Sequence, residues 1–292
     1  MDSRIRELER AALAGDEEAE ERLLQAQLRL GSRLARYVRG EHVAVWDELY
    51  GMGSSVRDPE VVDEAEAIAR ETMRRVLKNV GILEEGLKKI GYRFAFPEKV
   101  RTPPPPDSSE RLEALERKWG GPLPLSLRAF YDVVGALCFK QDESQNVHDW
   151  FNEAPSDLER LGDDDPLWVD SLSDLEAQEP GDDGRIYFCF APDMFHKANV
   201  SGGENHHVWL PDERADFRIV GLPRGANDLL EGEDLEAGLG EWDFPPSERF
   251  LTNLRESILV RGGFRGRPDY ETGEEDEVRP ILRDLIKDLV PF

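Results

Sequence analysis

A chain of 292 residues with 39% hydrophobic and 34% charged side chains is long enough to bury one large core or two modest ones, and has the composition of a globular protein. No apolar run approaches the roughly 20 residues that cross a bilayer, and the opening MDSRIRELER has no apolar leader core, which predicts a cytoplasmic protein. The net charge of −25 argues against nucleic acid and anionic membrane surfaces as partners.

In chain order, residues 3–39 read as two or three short helices. Ile5, Leu8 and Leu13 begin a helical stripe, Ala14-Gly15-Asp16 interrupts it, Leu23, Leu24 and Leu28 resume it, and Gly31-Ser32 interrupts it again. The segment LERAALAGDEEAEERLLQAQLRLG resembles short helical modules found ahead of varied bacterial domains, a likeness that carries no chemistry. Asp58-Pro59-Glu60 offers a cap, a first-turn proline and a first-turn acid. The helix it predicts carries Val62, Ala65, Ala69, Met73, Val76 and Val80 on one face as far as Gly81, and a shorter helix through Leu83, Leu87 and Ile90 follows. Tyr92, Phe94 and Phe96 alternate with Arg93 and Ala95, as in an edge strand ended by Pro97. Pro103 to Pro106 then favour a stiff extended spacer. Two regions are therefore expected, a helical one over 1–102 and an α+β domain over 103–292; the alternative is a surface crossing within one body.

Beyond the prolines, Leu112, Leu115 and Trp119 share a helical face that Gly120-Gly121 can end. Pro122 and Pro124 forbid continuation, and Ser126 can cap a second helix bearing Leu127, Phe130, Tyr131 and Val134. Gly135 ends that helix, and Ala136 to Phe139 read as a first strand. Further strands are expected at 167–169, 185–190, 206–210 and 216–220, joined by short Gly- or Asp-rich connections. The sheet is therefore expected to be mainly antiparallel. Pro245-Pro246-Ser247 opens a helix with Phe250, Leu251, Leu254 and Ile258 that Gly262-Gly263 closes, and Ile281, Leu282, Leu285 and Leu289 predict a last helix.

The helix, Gly-Gly-Pro-Leu-Pro, helix, Gly, strand order of residues 112–139 resembles the opening of the SUKH superfamily. FAPDMFHKANVSGG over 190–203 and FLTNLRESILVRGGFRG over 250–266 are similar to later landmarks of its bacterial members. The likeness covers about residues 107–268 and departs from the family pattern after Gly262-Gly263, where Phe264 and Arg265 replace the expected aromatic and proline. It implies a SUKH-like α+β fold and a binding function. Members include bacterial immunity proteins, whose partner toxins are often nucleases, and a fungal regulator of cell-wall synthesis.

The charge is unevenly spread. Residues 1–102 hold 18 basic and 20 acidic side chains, a net of −2, and the remainder 19 and 42, a net of −23. Residues 141–183 alone hold 15 acids and one base, Arg160, a net of −14. Such a field steers cationic proteins, although acidity can equally serve solubility. Asp163, Asp164 and Asp165 have carboxylates suited to a hard cation, but Trp168 stands where an EF-hand loop needs glycine; solvated charge is the other account.

His206-His207 would point to opposite faces of a strand, and no zinc-ligand spacing exists. Cys138 and Cys189 sit in apolar runs, as buried reduced thiols do, with no histidine motif to activate them. Gly51 and Gly53 match neither nucleotide fingerprint. His196, Lys197, Asn199 and Ser201 crowd donors between two strands; they suit either a partner contact or a turn with a local Asp193–Lys197 pair. Trp119 and Trp209 fit core positions, whereas Trp168 follows the acidic run and is the better interface aromatic.

The partner-binding set expected is Asp163, Asp164, Asp165, Trp168, Asp170, His196, Lys197 and Asn199, with no cofactor or metal. The function expected is non-catalytic binding of a basic protein through the acidic surface, as an immunity protein binds its toxin. The alternative is a regulatory scaffold that docks other proteins through its N-terminal helices.

Overall fold

The computed structural model describes residues 11, 18–19, 22, 32–145, 156, 158, 161, 165–179, 208–220, 247–265 and 280–292. In chain order these form α1 (Ser32–Val38), α2 (His42–Gly51), a 3-10 turn (Gly53–Arg57), α3 (Val62–Lys89), β1 (Arg101–Thr102), α4 (Ser108–Trp119), α5 (Leu125–Val133) and β2 (Ala136–Cys138). Then follow β3 (Asp165–Pro166), β4 (Trp168–Val169), α6 (Leu172–Glu176), β5 (Arg218–Val220), β6 (Ser247–Arg249), α7 (Phe250–Arg255), a π-helical turn (Glu256–Val260), β7 (Phe264–Arg265) and α8 (Pro280–Arg283). Strands pair antiparallel throughout, in the order β1-β2-β4 and as the pairs β3-β7 and β5-β6. The architecture is α+β.

The longest element is α3, with Asp63 and Glu64 in its first turn and Lys88 and Lys89 in its last, each on the side the helix dipole favours. It begins at Val62 without a side-chain cap, because residues 59–61 turn first and the Asp58 carbonyl accepts from the N–H groups of Val61 and Val62. Contrary to the expectation of a break, it runs on through Gly81. The roughly 1 kcal/mol that a glycine costs inside a helix is outweighed by burying Val80, Leu83 and Leu87 at about 1.5–3 kcal/mol each. Its glycines give neighbours access: a Cβ at Gly86 would lie 2.7 Å from Leu285 Cδ2. Glu64 reaches back to cap α1, Oε1 accepting from the N–H groups of Arg33 (2.8 Å) and Leu34 (3.2 Å). Trp46 of α2 is buried, its Nε1–H donating to Thr72 Oγ1 at 2.9 Å.

The helix pair follows its local signals. Gly120 ends α4 in the left-handed conformation (φ +75°), and Gly135 turns the chain from α5 into β2. Ser126 does not cap α5, whose N-cap is Pro124. Its Oγ instead donates to Asp216 Oδ1 at 2.6 Å in the interior. The expected edge strand at 92–96 narrows to one bridge, Phe94 with Gln141, and Tyr92 Oη donates to the Phe139 carbonyl at 2.6 Å. Residues 247–249, expected to open a helix, form β6 against β5, so the helix starts only at Phe250. The last helix is a single turn, although Leu285 and Leu289 beyond it still pack on the core. The expected strand at 185–190 lies outside the described residues, as does Cys189. Cys138 is buried, and burial pushes its thiol pKa up.

One hydrophobic core runs from Leu34 to Phe292 and draws on both sides of Pro103–Pro106. Inside it, Asp216 ties two helix starts together, accepting from Ser126 and, through Oδ2, from the Leu251 N–H of α7 at 3.3 Å. Burial pushes its carboxyl pKa up to about 6, against the opposing pull of those hydrogen bonds and of Arg249. The folded chain therefore holds this proton more tightly than the unfolded one. The stability it contributes is fully present below about pH 4 and is lost as pH rises through 6, an effect on the order of 2–3 kcal/mol. The stability of the wild type relative to Asp216→Asn, measured by denaturant unfolding, should fall between pH 4 and 7; a difference that does not change with pH would refute the assignment.

Candidate functional site

Alternation along the edge strand β4 builds the surface that the acidic run leads to. Leu167 and Val169 are buried and face the core. Trp168 and Asp170 therefore share the other face, two residues apart. The Trp168 Nε1–H donates to Asp170 Oδ1 at 2.7 Å, which fixes an indole and a carboxylate side by side, both half-buried. Burial raises the Asp170 pKa, with Asp174 adding to the rise and the indole N–H opposing it.

The chain then enters α6 through a capping box: Ser171 Oγ accepts from the Asp174 N–H at 3.3 Å, and Asp174 Oδ2 accepts from the Ser171 N–H at 3.0 Å. Leu172 and Leu175 anchor α6 in the core. Arg111 of α4 grips Glu176 in a two-pronged ion pair, and Lys118 meets Glu179 at 3.2 Å. Two acids of the run, Glu176 and Glu179, are thus neutralised within the molecule, whereas among the described residues Asp170 and Asp174 are held only by neutral donors. Beneath them Tyr131 is fully buried, and its Oη has no hydrogen-bond partner among the described residues. Burial, then Asp170 and Asp174, push its pKa well above the ordinary tyrosine value.

Of the predicted set, the structure brings together Trp168 and Asp170. Asp165 lies in β3, its backbone paired with Arg265. Asp163, Asp164, His196, Lys197 and Asn199 lie outside the described residues. Sequence reasoning missed Asp174, whose Ser-x-x-Asp capping signal was available, and Tyr131, whose helical spacing marks it simply as core. Among the described residues no group of three or more His, Cys, Asp or Glu side chains is arranged to hold a metal ion, and no helix is long and apolar enough to cross a membrane. The arrangement offers a cation two carboxylates, one of them at the N–H edge of an indole.

No protein-family model, curated protein or solved structure matches this chain.

Proposed function

We propose that this protein works by binding a basic protein partner through its acidic segment, as a SUKH-type immunity protein occupies its toxin, and that it catalyses no reaction. The observation that carries the proposal is the concentration of charge: 15 acids against one base over residues 141–183, beside a region of residues 1–102 that is nearly neutral. A field so localised raises encounter rates with cationic surfaces. The Trp168–Asp170 pair adds an aromatic residue to that segment, the kind of residue that dominates interface energetics. A nuclease is a fitting partner, because a surface evolved to grip phosphate is basic and an acidic protein can cover it.

Affinity capture from the native lysate, washed at low and at high salt, should yield one basic protein that salt releases. Reversing Asp163, Asp164 and Asp165 to lysine should slow its association about tenfold and flatten the salt dependence. Kinetics that this reversal leaves unchanged would sink the proposal.

A further inference from the structure

Residues 290–292 belong to no helix or strand, yet each backbone carbonyl among them is met by a side chain of another element. Asn79 of α3 gives both halves of its amide to one residue, Nδ2 donating to the Val290 carbonyl and Oδ1 accepting from the Val290 N–H, each at 2.7 Å. Arg75 Nη1 donates to the Pro291 carbonyl at 3.0 Å, and Arg255 Nε to the Phe292 carbonyl at 2.6 Å. The Phe292 ring is 1% exposed, with the Arg255 guanidinium 6.0 Å from its centroid. An amide that offers a donor and an acceptor to one residue's backbone does what a neighbouring strand does in peptide recognition. Pro291 has no N–H, and the groove meets it through its carbonyl.

One of the reading side chains, Arg75, is set in place by partners of its own. Arg75 is held by Glu71 Oε1 at 2.8 Å and by His42 Nε2 at 2.7 Å, above the Tyr37 ring. Burial, with Arg75 and Arg255, keeps the His42 pKa down at about 4, so the ring is neutral at pH 7 and Nε2 can accept from the guanidinium. Arg255 Nη2 is buried with no partner among the described residues, a spare donor beside the Phe292 carbonyl. The groove is thus built from α2, α3 and α7, and its Arg75 is oriented independently of the segment that fills it.

We propose that this groove is a peptide-binding site for a hydrophobic–Pro–aromatic segment, occupied here by the chain's own residues 290–292 and able to take the same segment in trans. The tethered segment competes at an effective concentration in the millimolar range, so a free peptide wins only where the tethered one is weakened. The site is separate from the acidic surface and does not depend on the function proposed for it.

The test uses the full chain and a fluorescein-labelled peptide of residues 287–292, KDLVPF, followed by anisotropy. Phe292→Ala should bind the peptide at least about tenfold more tightly than wild type, whose own segment blocks the groove. Adding Asn79→Ala should weaken that binding about tenfold, and a peptide with alanine in place of its phenylalanine should not bind. A folded Phe292→Ala chain that takes up no peptide, or takes it equally well with Asn79→Ala, overturns the proposal. If Phe292→Ala does not fold, Phe292→Leu keeps the apolar bulk and allows the same comparison, in which the same results support or overturn the site.

Discussion

Removal of residues 1–102 should leave a chain that does not fold. The deletion takes away α3, whose Ile68, Met73, Val76, Val80, Leu83 and Leu87 are all fully buried in the common core. At about 1.5–3 kcal/mol each, these six side chains contribute on the order of 10 kcal/mol, comparable to the roughly 5–15 kcal/mol by which a whole domain is stable. The loss also strips β1 from β2 and leaves the Val290 backbone without Asn79. Circular dichroism of the 103–292 fragment should show no cooperative thermal transition; a soluble fragment with a sharp one would show that the shared core is dispensable. For function the consequence is direct. Truncation cannot separate binding through the acidic segment from docking through the N-terminal helices, since it destroys both. Point substitutions at Asp163 to Asp165, remote from α3 in sequence, can.

What was legible in the sequence is what is decided locally. The Gly120 stop, the Pro122–Pro124 interruption, the Gly135 turn and the strand after it each depend on the conformational limits of one or two residues, and the structure keeps them all. Where the reading failed, a partner far along the chain made the decision. Ser126 has the chemistry of a cap, but Asp216, ninety positions away, takes its hydroxyl into the interior. Gly81 has the propensity of a stop, but burial on either side of it carries α3 through. Asn79 falls on the core-facing stripe between Val76 and Val80; a polar residue there is a visible anomaly, yet its partner lies 211 positions away. The candidate site divides in the same way. Trp168 and Asp170 meet because alternate strand residues share a face, which the sequence does encode, whereas the proximity of Tyr131 to Asp170 and Asp174 depends on how α5 packs beneath them.

Gly135→Ala should be among the most damaging single substitutions in this protein. The residue has φ +92°, where an L side chain is strained by about 1–2 kcal/mol. A Cβ there would also run into the Thr102 carbonyl oxygen and come within 2.8 Å of Pro103 C and Pro104 N. These are backbone atoms, fixed at the end of β1 by the pairing of Thr102 with Ala136, so no rotamer change can relieve the overlap. Either β1 moves away from β2 or α5 tilts, and α5 carries the fully buried Phe130 and Tyr131. Overpacking of this kind adds about 1–3 kcal/mol, for a total near 4 kcal/mol against a domain's ordinary stability. Chemical denaturation should show a lower midpoint with an unchanged slope. Gly120→Ala provides the control: its φ is similarly positive at +75°, but a Cβ there meets nothing within 4 Å, so only the conformational strain remains, about 1–2 kcal/mol. Equal losses at the two glycines would mean that the contact with Thr102 is not what fixes the turn, and that the join between the helical region and the sheet yields more readily than its packing implies.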